Sequence, residues 1–194
     1  MAARRFPLVP VVLSTVLAVV SAGGVYWAFA PDEEKAEVTS DATFPLEPTG
    51  ELPSSVEDVR LAGMGGNTTQ MLGDFTGDKP VVLNFFASWC TPCLREMPAF
   101  EAVHQELGDQ VNFVGLANTD TPDKALEMVS DTGVTYPTFD DPDASAVTFF
   151  GGTSMPTTVF IDADGEVVSV ESQTFDEASL KSRISELLGV STTP

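Results

Sequence analysis

An α/β fold with a mixed β-sheet is predicted by three features of the sequence. Two near-continuous apolar runs, "PVVLNFFA" (Pro80 to Ala87) and "VNFVGLAN" (Val111 to Asn118), read as strands buried on both faces. Each is followed by a segment with helical spacing, the alternation of a strand–helix layout. "TTVFIDADGEVVSVES" (Thr157 to Ser172) then sets two strands around an "ADG" turn, a hairpin signal that adds antiparallel pairing to the sheet.

The chain begins with Arg4 and Arg5, followed by an uncharged stretch from Phe6 to Ala30. About 20 apolar residues span a bilayer, so residues 1–30 are expected to form a transmembrane helix. The positive-inside bias keeps the arginines cytoplasmic, and Tyr26 and Trp27 suit the far interface. A cleaved signal peptide is the competing reading, since "AFA" (Ala28 to Ala30) and "VSA" ending at Ala22 resemble cleavage sites. The anchor is favoured because the apolar run exceeds a usual signal-peptide core and Pro31 opposes cleavage after Ala30. Both readings put the remainder outside the cytoplasm, either on a single-pass anchor in the cell membrane or secreted. Residues 31–55 mix acidic, Pro and Ser residues without apolar periodicity and read as a flexible linker. A single domain is expected over 56–190, with a tail at 191–194.

Within that domain "VEDVRLAG" (Val56 to Gly63) alternates weakly and "TTQMLGDF" (Thr68 to Phe75) reads as a second edge strand. After the first buried strand, Cys93, Met97, Phe100, Val103 and Leu107 recur at helical spacing up to Gly108. "TPDKALEMVSDTG" (Thr121 to Gly133) carries an N-cap Thr, a Pro at the first helical position and a terminal Gly. "FDEASLKSRISELLG" closes the chain as a helix with Leu180, Ile184, Leu187 and Leu188 on one face. With nine Lys+Arg against 29 Asp+Glu and a net charge of −20, the chain lacks the cations that phosphate binding needs, which excludes nucleic-acid partners.

The two cysteines, Cys90 and Cys93, stand in "WCTPC" between the first buried strand and its helix. The free N–H groups and positive dipole end of a helix start favour an anion there, which marks Cys90 as the nucleophile. Cys93, one turn on and facing inward, is the resolving thiol that closes a redox-active disulfide. A structural staple is disfavoured because a two-residue gap closes almost no loop. Zinc needs two further ligands, and the single histidine, His104, lies three turns down the helix. No cofactor beyond the Cys90–Cys93 disulfide is expected.

"VVLNFFASWCTPCLREMPAFEAV", with "YPTFDDPDASAV" and "SMPTTVFIDADGEVV" in order behind it, resembles the thioredoxin superfamily. The chain is most similar to its membrane-anchored, extracytoplasmic TlpA, ResA and CcmG (DsbE) branch, from about Leu61 to Leu188. The resemblance implies a central mixed sheet flanked by helices, and a cis-proline, Pro156 after Met155, facing the dithiol. It also implies that a substrate polypeptide docks as an added strand beside Cys90, against Trp89, Thr91, Pro92, Met155 and Pro156. Asn84 stands where cytoplasmic thioredoxins carry a buried aspartate, and asparagine cannot titrate. Glu96, where this branch often has glutamate, is expected either to exchange the proton of Cys93 or to be a solvated helix residue. Pro98 is expected to kink the helix. Trp89 either shields the dithiol or only packs. "ESQTFDE" around Gln173 departs from the Gly that many relatives have after the hairpin.

The resemblance implies a thiol–disulfide oxidoreductase reducing disulfides of exported proteins such as apocytochrome c, with electrons from a membrane thiol carrier. An oxidase donating its disulfide to secreted proteins is the rival. A copper chaperone using Cys90 and Cys93 with His104, Met97 or Met155 is a third reading. Peroxide reduction is disfavoured because the peroxidase branch surrounds its nucleophile with a different Thr/Pro and Arg pattern.

Overall fold

The computed structural model describes residues 55–66 and 68–192, so the expected transmembrane helix and nearly all of the expected linker lie outside the described residues. Among the described residues no helix is long and apolar enough to cross a membrane.

Seven strands form one sheet: β1 (Arg60–Gly63), β2 (Thr69–Met71), β3 (Val81–Phe86), β4 (Asn112–Asn118), β5 (Thr138–Asp141), β6 (Thr157–Ile161) and β7 (Val167–Glu171). Their order is β2-β1-β5-β4-β3-β6-β7. The β3–β4 and β4–β5 pairs are parallel and the other four antiparallel, giving a mixed sheet. Four helices follow the strands: α1 (Thr91–Leu107), α2 (Pro122–Thr132), α3 (Ser145–Phe149) and α4 (Glu177–Leu188).

The continuous apolar run of β3 follows from its central place, because every residue from Val81 to Phe86 is buried. Val82 and Phe86 point into a cluster with Met97, Phe100 and Val103 of α1 and Leu180 and Ile184 of α4. Val81, Leu83 and Phe85 point the other way, into a cluster with Leu61, Leu72, Val147 and Phe150. Successive strand side chains alternate faces, so Asn84, between Val82 and Phe86, faces α1. In register beside it stands Gly115 of β4. A Cβ at Gly115 would lie 3.0 Å from Thr138 Cγ2, 3.1 Å from Phe86 Cε1 and 3.2 Å from Tyr136 Cε2. Gly115→Ala is therefore expected to destabilise the domain by about 1–3 kcal/mol through overpacking. A denaturant midpoint equal to that of the wild type would contradict this.

Three elements differ from the sequence reading. Only Thr69–Met71 of the expected second edge strand pairs with β1, and Leu72–Phe75 turns as a short 3-10 helix. β5 and α3, between the second long helix and the hairpin, are additional. β5 has only four residues, two of them Asp140 and Asp141, which hide it from a hydrophobicity pattern. Asp141 accepts hydrogen bonds from the N–H groups of Ala146 and Val147 at 3.0 Å each, so this buried carboxylate holds the start of α3. The helix α1 is continuous through Pro98.

The hairpin turn is closed by Gly165 N–H donating to Asp162 O at 3.1 Å, with Gly165 at φ +86°, a conformation that favours glycine. α4 starts at a reciprocal cap between Asp176 and Ser179 and is tied across to α1 by Lys181, which bridges Glu106 and Glu177.

Candidate active site

β3 ends at Phe86, and the chain turns through Ala87, Ser88 and Trp89 into α1. Cys90 N–H donates to Ala87 O at 2.9 Å, closing the turn. The turn is also held from outside, since Asp120 after β4 accepts from both Ser88 Oγ (2.9 Å) and Ser88 N–H. Cys90 is itself the N-cap of α1, its Sγ accepting the Cys93 N–H at 3.2 Å. Pro92 in the first turn has no N–H to leave unpaired. The sulfur therefore occupies the place where a helix start stabilises negative charge, the condition for a reactive thiolate.

Cys90 and Cys93 are joined as a disulfide with their Cα atoms 5.3 Å apart. Cys93 is 0% exposed and Cys90 only 4%, so Cys90 is the more accessible sulfur by a small margin. Trp89 is 57% exposed. It is not a core residue, which removes the purely packing alternative. Thr91 is exposed and Pro92 half-buried beside it.

Met155 and Pro156 precede β6, and the bond between them is cis. Met155 is half-buried and packs against both hydrophobic clusters, while Pro156 is buried. Trp89 and Met155 line a common cleft, so the loop before β6 and the loop before α1 meet at the site.

Glu96 lies one helical turn beyond Cys93 and is 1% exposed, which overturns the solvated alternative. Its Oε1 accepts from Asn84 Nδ2 at 3.1 Å and its Oε2 from Phe175 N–H at 3.2 Å. Burial raises its pKa from 4.5 to about 7, with the hydrogen bonds from Phe175 and Asn84 pulling partly the other way. A carboxyl with that pKa is populated in both protonation states near neutral pH, as a proton-exchanging group needs. Asn84 can serve either state. Its Nδ2 donates to the carboxylate, and its Oδ1, buried without a partner among the described residues, can accept from the protonated acid after a half-turn of the amide.

The roles of three contributors were not legible in the sequence. Phe175 acts through its main-chain N–H, which almost any residue there would supply, so its identity carries no signal. It lies in the "ESQTFDE" segment, whose path delivers this donor to Glu96. Asn84 lacks an acid–base role of its own but orients the acid. Asp120 could have been suspected only as an acidic residue directly after a buried strand.

Of the third ligands that the copper reading would use, Met155 lies beside Trp89 at the site, whereas His104 and Met97 do not serve. His104 is 14 residues beyond Cys90 on the same helix, roughly 20 Å along its axis. Its ring packs edge-on against Phe113 and Tyr136, with centroids 5.5 and 5.7 Å away. Met97 is fully buried in the core. Among the described residues no group of three or more His, Cys, Asp or Glu side chains is placed to hold a metal.

A mixed sheet with a two-cysteine disulfide at a helix start and a cis-proline loop meeting it defines a thiol–disulfide oxidoreductase of thioredoxin-like fold. Known proteins agree. The Redoxin family matches residues 48–187. Over 135 residues the chain is 28% identical to the thiol-disulfide oxidoreductase ResA of Geobacillus thermodenitrificans, covering 69% of this chain and 76% of that protein. The ResA of Halalkalibacterium halodurans is 32% identical over 93 residues, a match spanning 47% of this chain and about half of that relative, 53%. A solved DsbF homologue from Corynebacterium diphtheriae superposes with a TM-score of 0.59 at 32% identity, covering 69% of this chain and 86% of that one. The chain belongs to the Redoxin family, and its relatives include the ResA-type thiol-disulfide oxidoreductases.

Proposed function

We propose that this protein is an extracytoplasmic reductant, tethered by its N-terminal segment to the outer face of the cytoplasmic membrane, that reduces disulfides of exported proteins such as apocytochrome c. The similarity to ResA-type thiol-disulfide oxidoreductases supports this reading, and the buried Glu96 one turn from Cys93 adds a proton-exchanging group to the site. Ionised, it opposes a thiolate beside it, so the reduced state loses the stabilisation that thiolate formation would give it and is the better electron donor.

Cys90 as thiolate attacks one sulfur of the substrate disulfide, forming a mixed disulfide and releasing the first substrate thiolate, which takes a proton. Cys93 then gives its proton to the Glu96 carboxylate and attacks Cys90 Sγ. The second substrate thiolate leaves, and the Cys90–Cys93 disulfide remains. Two electrons have passed to the substrate, and a membrane thiol carrier, itself oxidised to a disulfide, restores the dithiol. The substrate polypeptide docks as an added strand on the Met155 main chain, against Trp89, Thr91, Pro92 and Pro156.

Acid quenching of intact cells followed by thiol labelling tests the direction of electron flow. A pool with Cys90 and Cys93 mostly reduced at steady state is expected. A mostly oxidised pool would replace this reading with that of a disulfide donor.

A further inference from the structure

The loop that ends in the cis-proline is hydrogen-bonded to the strand behind it through one buried hydroxyl. Thr157, the first residue of β6 and directly after Pro156, is 0% exposed. Its Oγ1 donates to Ser154 O at 2.6 Å and lies 3.0 Å from Ser172 Oγ. A threonine hydroxyl has a single proton and a carbonyl can only accept, so Ser172 is the donor in the second contact. Ser172 stands across from Thr157, one step along the antiparallel ladder from the Thr158–Glu171 pair. Among the described residues no other hydrogen bond reaches the main chain of residues 153–156. The relay from Ser172 through Thr157 to Ser154 is therefore the polar restraint on the chain immediately before Met155. Ser172 also belongs to the segment that delivers the Phe175 N–H to Glu96.

We propose that Thr157, oriented by Ser172, is a positioning residue for substrate docking, its hydroxyl holding the main chain before Met155 in the path that an incoming strand needs. The proposal rests on the disulfide-exchange reading above, with docking on the Met155 main chain. An added strand binds through N–H and C=O groups, so its affinity depends on where those groups stand before it arrives. Without the tie, the substrate must order the loop as it binds, and that cost falls on binding rather than on the chemistry at sulfur. Thr158 supplies the contrast. It is the next residue and equally buried, and its Oγ1 has no hydrogen-bond partner among the described residues. Two neighbouring buried threonines thus differ in whether the hydroxyl is bonded to the loop.

The test follows single turnovers of the reduced full-length protein with two disulfides. One is a short peptide whose central cysteine is joined to a reporter thiol, and the other is bis(hydroxyethyl) disulfide, which has no peptide main chain. Thr157→Val keeps the side-chain shape and loses the hydroxyl. It is expected to raise the half-saturating peptide concentration about three- to tenfold, the worth of one neutral hydrogen bond, at an unchanged maximal rate. Its rate with bis(hydroxyethyl) disulfide is expected to equal that of the wild type. Thr157→Ser, which retains the hydroxyl, is expected to keep the wild-type half-saturation. Thr158→Val is expected to leave both substrates unaffected. Ser172→Ala, at an exposed position, is expected to shift the peptide half-saturation in the same direction by a smaller factor, and decides the matter by itself if Thr157→Val does not fold. A merely structural Thr157 would slow both substrates alike or neither. Either result overturns this proposal alone, as does an equal shift from Thr158→Val or an unchanged half-saturation in Ser172→Ala. Failure of the wild type to exchange with either disulfide overturns the disulfide-exchange reading and this proposal with it.

Discussion

Cys93→Ser protein is expected to accumulate as a mixed disulfide with its substrates, whereas Cys90→Ser captures none. The asymmetry follows from geometry. Cys90 caps α1, receives the Cys93 N–H and is the sulfur with residual exposure, while Cys93 is sealed. Only Cys90 can be reached by an external disulfide, and only Cys93 is placed to resolve the product. Catalytic turnover should fall to the background rate in both variants, since each lacks one of the two thiols that a cycle consumes. Non-reducing electrophoresis of cells carrying each variant separates the roles. Equal capture by the two would mean that either sulfur can be attacked.

Glu96→Gln is expected to change both the pH profile of exchange and the stability of the protein. Loss of the proton acceptor should slow the resolving step by about 10²–10⁴ and remove a titration near pH 7 from the rate. Stability follows from the same shift. Because burial raises the Glu96 pKa from 4.5 to about 7, the folded protein holds this proton where the unfolded chain has released it. The stabilisation is fully present below pH 4.5 and is lost as pH rises through about 7, reaching on the order of 3 kcal/mol. A glutamine side chain does not titrate, so the variant should gain on the wild type across that window. Denaturant unfolding of the oxidised proteins at about pH 4.5 and about pH 8 measures the difference, and parallel behaviour would show that folding does not raise the Glu96 pKa. The oxidised form is the right reference because neither cysteine then titrates.

Much of the architecture was legible because its main elements are local. β3 and β4 are buried on both faces and read as unbroken apolar runs. α1 and α4 show one apolar stripe each, and the β6–β7 turn carries its glycine where positive φ is needed. β5 and α3 escaped because their stability comes from neighbours. Four residues containing two aspartates become a strand when pairing with β1 and β4 satisfies the backbone, and Asp141 then directs its charge to the start of α3.

The site divides along the same line. Spacing and placement on a helix start sufficed to mark Cys90 and Cys93 as a redox pair, because i and i+3 on a first turn is a local relation. Glu96 could be suspected from its position one turn on, but its state could not. That state depends on β3 supplying Asn84 from 12 residues away and on the segment before α4 supplying the Phe175 N–H from 79 residues away. The dithiol, its order of reactivity and the sheet that carries it could all be read along the chain. Two properties could not: the desolvation that poises Glu96 near pH 7, and the exposure of Trp89. Burial and hydrogen bonding arise from packing between distant segments, and no single segment contains them.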